Sequence, residues 1–332
     1  MPEWLDSKSY ETIEQQRHNY NLQRERKWDV KFGEGTTKKL TKGRQMKRWF
    51  RKGVPLKYRK RGWMTISGAK ILMDNNEGLY QRLVEEGKNQ VTKHTLAIDK
   101  DLHRTFPENA EFTIDEKVLE YKQYHPNEPL NEEDLPLIVA QMRRILGALA
   151  VYVPTVGYCQ GLNYLCGMIL LILREEESSF WLLYTIIKHL TPTYHTEGFA
   201  AMTRDQAILN DLLKIKDATL YEHFVKQGVS VELISINWFI TLFIDQLPLE
   251  TALRIWDSVI YEGEKILFRV MLALFKKHRT ELLAAKGAML FLVCKHMAEK
   301  ELDPTALLTL GFGIKLKRSQ LRNLRSKHTS KN

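Results

Sequence analysis

The stretch 138-IVAQMRRILGALAVYVPTVGYCQGLNYLCGMILLIL-173 decides the fold class. Ile138, Val139, Met142, Ile145, Leu146 and Leu149 recur at the helical period of about 3.6 residues, and Pro154 ends that run. After a turn at Gly157, the residues Leu162, Leu165, Cys166, Ile169, Leu170 and Leu173 form a second stripe. The apolar run 161–173 is shorter than the ~18–20 residues that span a bilayer. It also runs directly into 174-REEE-177. Two amphipathic helices of a globular core are therefore expected, not a membrane hairpin.

Outward from this pair the same signal repeats. Pro248 and Glu250 open 248-PLETALRIWDSVIYEG-263 and Gly263 closes it. Ile266, Val270, Leu274 and Phe275 mark a further helix, and Asp303 followed by Pro304 starts another. Clean period-two alternation is absent after residue 60, so the chain is expected to be all-α with more than a dozen helices. No repeat of roughly 30–45 residues is present, which argues against a regular solenoid. Residues 1–44 carry little apolar periodicity and read as a loosely attached extension; 45–315 form the ordered domain and 316–332 a basic tail. The acidic, Pro-punctuated segment 107–136 reads as a surface excursion.

The net charge of +10 is unevenly spread. Residues 35–73 hold 13 Lys/Arg and no acid, and residues 314–332 hold seven and no acid, leaving 30 basic against 40 acidic elsewhere. Such runs are expected to be solvated faces, with weak attraction of the runs 38–70 and 315–331 to an anionic membrane surface. Nucleic-acid motifs are absent, and no nucleic-acid partner is expected. Three cysteines (Cys159, Cys166, Cys294) without CxxC spacing fit a reducing cytoplasm. The N-terminus lacks a signal-peptide pattern.

No phosphate loop, HExxH or GxSxG motif occurs, and no general acid/base dyad is legible. His189 and His195 read as surface or core-edge residues, not metal ligands. Three separated segments nevertheless stand out together: 98-IDKDLHRTFP-107, 157-GYCQGLNYL-165 and 235-SINWFITLFIDQLPLETALRIWDSVIYEG-263. Taken alone, Asp101 and Arg104 are an ordinary i,i+3 pair. Gln160 by itself reads as a residue satisfying free N–H groups at a helix start, and Trp256 as a core anchor. In this order, and with 53-GVPLKYRKRGWMTISGA-69 upstream, the segments resemble the TBC domain, the catalytic module of GTPase-activating proteins for Rab GTPases.

The resemblance covers about residues 45–315 and implies one large multi-helix domain with two helical subdomains. It maps an arginine finger onto Arg104 and a glutamine finger onto Gln160, both inserted into the active site of a GTP-bound Rab partner. Asp101 is implied to orient the arginine, and Tyr158, Gly161 and Asn163 to shape the loop presenting Gln160. Trp256 and Asp257 are implied scaffold, with some contact to the partner. GTP and Mg²⁺ come with that partner, so no cofactor or metal site of the chain's own is expected. A cytoplasmic location peripheral to endomembranes follows from the same resemblance. The alternative function is a TBC scaffold that binds a small GTPase without accelerating hydrolysis. Two departures touch loop geometry: valine at position 153 where the family often has Asn-Pro, and 108-ENA-110 where it commonly has a histidine.

Overall fold

The computed structural model describes residues 7–36, 39–88, 91–191, 194–196 and 199–329. Among these residues the structure is helical, with 19 α-helices joined by short turns and no strand. No helix of the described residues is long and apolar enough to cross a membrane. The chain divides into two compact units. A central unit comprises residues 67–206 and 235–245, and a terminal unit comprises 1–66, 207–234 and 246–332.

The central unit is built around the helix Leu137–Tyr152, which packs against Leu79–Lys88, Lys93–Leu102, Leu162–Leu173 and Glu176–Thr185. The two stripes of the opening stretch supply its core: Met142, Ile145, Leu149, Leu162, Leu165 and Cys166 are fully buried. Truncating a side chain in such a core costs about 2–5 kcal/mol. The acidic excursion is tied down at its base by Asp99, a buried carboxylate. Asp99 accepts from Leu130 N–H at 2.9 Å and from Arg143 Nε at 2.7 Å. The helix Glu116–Tyr124 within the excursion buries none of its residues, as expected for a surface segment.

The terminal unit centres on Leu249–Glu262 and Lys265–Lys277, with Arg44–Arg51 against the first and Pro304–Gly313 against the second. Asp303 caps the last of these through Thr305 and Ala306 N–H, as its Asp-Pro start implies. Pro248 lies one position before the helix it opens and not within its first turn.

The N-terminal segment differs from the sequence expectation. Ser7–Phe32 is one 26-residue helix whose Arg24, Trp28 and Phe32 are buried. Trp28 meets the rings of Phe32, Trp49, Phe50 and Tyr58 at 5.1–6.1 Å. The basic tail is likewise docked over most of its length. Arg318–Thr329 is helical, with Leu321 buried and Arg325 paired with Glu264 at 2.7 Å. In the basic run 38–70, Lys47 and Arg51 bind Glu262, Lys57 binds Asp29, and Arg59 reaches Glu250 and Asp257. Of these cations only Arg59 is buried; Lys39, Lys42, Arg44, Arg48, Lys52 and Arg61 are exposed.

Candidate functional site

The helix Lys93–Leu102 starts on a capping box: Thr92 accepts from Thr95 N–H, and Thr95 accepts from Thr92 N–H. Ile98 and Leu102 are buried one turn apart and fix which face carries Asp101. The helix ends at Leu102, so Arg104 lies on the turn just beyond it, where the helix dipole favours a cation. Phe106 then adopts a positive φ of 49° and sets its ring against Phe112 and Tyr164. That anchor ends the helix and directs the Arg104 side chain outward.

Asp101 holds the two motifs together. Its Oδ1 accepts from Arg104 Nε at 2.8 Å and Nη2 at 2.6 Å. Its Oδ2 accepts from the Tyr158 hydroxyl at 2.6 Å. Burial, the Asp101 charge and this hydrogen bond push the Tyr158 phenol far above its ordinary pKa, so it stays a proton donor. Arg104 keeps 41% of its side chain exposed, whereas the Asp101 side chain is 11% exposed. The guanidinium is thus held along one edge and open along the other, where Nη1 makes no hydrogen bond among the described residues.

A second thread runs through Asn163, which is fully buried at the start of Leu162–Leu173. Asn163 Oδ1 accepts from Gly161 N–H at 3.0 Å, and its Nδ2 donates to Thr105 Oγ1 at 2.8 Å. Thr105 Oγ1 donates in turn to the Asp101 carbonyl at 2.8 Å. The Tyr164 hydroxyl donates to the Arg104 carbonyl at 3.0 Å. These bonds join the Arg104 turn to the loop carrying Gln160.

That loop has little conformational choice. Gly157 (φ 56°) lies so close to the His94 ring that a Cβ would sit 2.3 Å from it. At Gly161 (φ 100°) a Cβ would meet Ile240 Cγ2 at 2.1 Å. His94 Nδ1 accepts from Tyr158 N–H at 3.1 Å, which places its proton on Nε2. The Cys159 thiol points to the His195 carbonyl at 3.7 Å, and burial pushes that thiol up to about 12. His195 Nε2 donates to the Ile240 carbonyl at 2.8 Å, and burial pushes its imidazole down to about 4. Between these fixed points the Gln160 side chain is exposed and makes no hydrogen bond among the described residues. Gly161, not Gln160, occupies the cap position of the following helix, so helix capping does not account for the glutamine.

The sequence-derived residues therefore separate into two groups. Asp101, Arg104, Tyr158, Gly161 and Asn163 form one bonded set, with Gln160 on its loop. Trp256 and Asp257 belong to the terminal unit and are 1% and 0% exposed. Contrary to the expected contact with a partner, both are buried and present no surface to one. Asp257 instead accepts from Val54 N–H at 2.8 Å and Trp63 Nε1 at 2.7 Å, binding the Gly-Val-Pro segment to its own helix. Trp256 packs against Trp63 at 5.9 Å. His195 is also corrected, from a surface or core-edge residue to a fully buried one. Thr105, Tyr164, His94 and Ile240 were not singled out from the sequence. The glycines at 157 and 161 were the available signal, because each implies a neighbour pressed against the backbone.

A sequence profile of the Rab-GTPase-TBC domain matches residues 56–283. Growth hormone-regulated TBC protein 1-A of Danio rerio is 37% identical over 285 residues, covering 85% of this chain and 74% of that one. The Homo sapiens growth hormone-regulated TBC protein 1 is 38% identical over 248 residues, covering 74% and 67%. Among solved structures, the Chlamydomonas flagellar RabGAP TBC domain superposes with a TM-score of 0.75. It is 26% identical and covers 93% of this chain and 96% of that one. The Ypt/Rab-GAP domain of Gyp1p has the same fold, with a TM-score of 0.68 at 18% identity, covering 93% and 99%. This chain is a member of the Rab-GTPase-TBC domain family.

Proposed function

We propose that this chain is a GTPase-activating protein for a Rab GTPase, supplying Arg104 and Gln160 in trans to GTP bound by the partner. The observation that carries the reading is the shared mounting of these two exposed side chains. Asp101 links Arg104 to Tyr158, and Asn163 links Gly161 to Thr105. The relatives described as RabGAPs support the partner class.

GTP hydrolysis needs a water held in line with the γ-phosphate and positive charge against the developing phosphoryl charge. Arg104 carries a guanidinium with one edge open to solvent, so it can meet the second need. Gln160 has an amide that both accepts and donates. It can orient the water and bond a phosphate oxygen, standing in for the partner's own glutamine. GTP and Mg²⁺ belong to the partner, and the isolated chain has no hydrolase activity in this reading. Weak contact of residues 38–70 and 315–331 with an anionic membrane surface is the remaining part of the proposal.

The test is single-turnover hydrolysis over a panel of GTP-loaded Rab proteins. Acceleration of some members supports the reading and identifies the partner. Binding of a GTP-loaded Rab without acceleration would replace it with the scaffold function.

A further inference from the structure

Gln160 stands between two chain neighbours that are both held by Ile240. On one side, the Gly161 backbone lies against Ile240. A Cβ at Gly161 would sit 2.1 Å from the Ile240 Cγ2 methyl and 3.3 Å from its carbonyl oxygen. On the other side, the Cys159 thiol donates to the His195 carbonyl at 3.7 Å, and His195 Nε2 donates to the Ile240 carbonyl at 2.8 Å. That carbonyl belongs to the last residue of the helix Val231–Ile240, where intrahelical donors run out. His195 supplies the missing donor at a cost, because its buried Nδ1 finds no partner among the described residues.

Ile240 is itself held. After residue 206 the chain belongs to the central unit only over residues 235–245, between two stretches of the terminal unit. Phe239 meets the ring of Tyr194, the neighbour of His195, at 5.6 Å, and Phe243 stacks on Trp238 at 5.8 Å. Leu242 and Phe243 both adopt the left-handed region, with φ of 49° and 71°. Residues with large side chains rarely do so, and two in succession are costly. Both are fully buried, so the packing of their side chains keeps the turn in this shape. Strain of this kind persists only where the surrounding structure fixes it. Here it lies directly behind the residue that presses on Gly161.

We propose that Ile240 is a positioning residue for Gln160. Its Cγ2 methyl and its carbonyl fix the two residues that flank the glutamine, and the strained turn behind it keeps both in place. The inference rests on the reading of Gln160 as a group that acts on GTP in a partner. The Gln160 side chain is exposed and makes no hydrogen bond among the described residues, so its placement comes from its backbone. Displacing a reacting group by about 1 Å can cost about 10²-fold in rate. On this account the Ile240 methyl matters by its place and not by its bulk, which separates a brace from ordinary packing. Ile240→Val is smaller but keeps Cγ2. Ile240→Leu conserves the volume but moves the branch one carbon outward, and so removes the methyl that meets Gly161.

Single-turnover hydrolysis on a responsive GTP-loaded Rab would be measured over a range of chain concentrations. Amide hydrogen exchange at Tyr158, Gly161 and Leu162 would be followed in the full chain without a partner. Ile240→Leu is expected to lower the maximal rate about tenfold or more with the half-saturating concentration unchanged. It should also speed exchange at the three amides about tenfold, while the helix Leu137–Tyr152 exchanges as in the parent. Ile240→Val should match the parent in both readouts. Parental rate and exchange in Ile240→Leu overturn the brace and leave the proposed function standing. A loss in Ile240→Val as large as in Ile240→Leu also overturns it, because bulk is then the cause. A parent chain that accelerates no Rab removes the proposed function, and exchange then judges the brace by itself: faster in Ile240→Leu supports it, and unchanged overturns it.

Discussion

Asp101 divides its two oxygens between residues from different motifs, and the two donors have unequal structural weight. Tyr158 is buried, so Tyr158→Phe leaves a carboxylate oxygen without its partner. The expected cost is about 1–3 kcal/mol in chemical denaturation, with slower GTP hydrolysis on the partner. An unchanged denaturation midpoint would show that water reaches Oδ2. Arg104 faces solvent, where ion pairs contribute about 0–1 kcal/mol. Arg104→Ala should therefore melt close to the parent chain. Gly161→Ala is the opposite case. Its backbone conformation and the Ile240 side chain both oppose a Cβ, so it should lose stability and activity together. Activity retained at the parent level would mean that the loop can move away from Ile240.

At the scale of elements, the loop bearing Gln160 depends on a buried histidine one segment away. Burial depresses the His195 imidazole to about 4, only partly offset by its hydrogen bond to Ile240, against an ordinary value near 6.5. Between those values the unfolded chain binds a proton that the folded chain does not. Stability therefore rises with pH through that window, by roughly 1.4 kcal/mol per pH unit at most, and is fully present above it. His195→Gln keeps a donor for the Ile240 carbonyl and should flatten the slope, as read from urea midpoints between acid and neutral pH. An identical slope in the variant would assign it to other groups.

The N-terminal helix shows why part of the fold was hidden in the sequence. The helices around 138–173 announce themselves because their buried positions are apolar. In Ser7–Phe32 the buried face runs through Arg24, Trp28 and Phe32, about one residue per turn, with Tyr20 half-buried beyond it, and Arg24 is polar. Apolar periodicity has little to register there, although the burial is real. Trp28→Ala should cost about 3–5 kcal/mol in a denaturant titration, far more than a loosely attached extension would show. Arg104 and Gln160, the proposed fingers, stand out only through the family resemblance of their compact motifs. Thr105, Tyr164, His94 and Ile240 do not, because each contacts a partner 45 to 80 positions away or presses on a glycine from a distant segment.

At the scale of the whole molecule, the motif residues serve two ends. Those at 98–107 and 157–165 mount exposed side chains within the central unit. Those at 53–66 and 254–263 belong to the terminal unit, where Asp257 holds Val54 and Trp63. Asp257→Ala should accordingly be one of the most damaging single changes to folding. It leaves Arg59 buried with only Glu250 as counter-ion, a loss of about 3–5 kcal/mol by denaturation.

Whether Arg104 and Gln160 act together on GTP in a partner is read from single-turnover hydrolysis on the responsive Rab. Parent chain, Arg104→Ala and Gln160→Ala would be compared, with thermal melts alongside. Both variants should fold, with a rate loss of roughly 10³-fold or more for Arg104→Ala and severe impairment for Gln160→Ala although the partner keeps its own glutamine. Near-parental turnover by either folded variant would contradict that joint action.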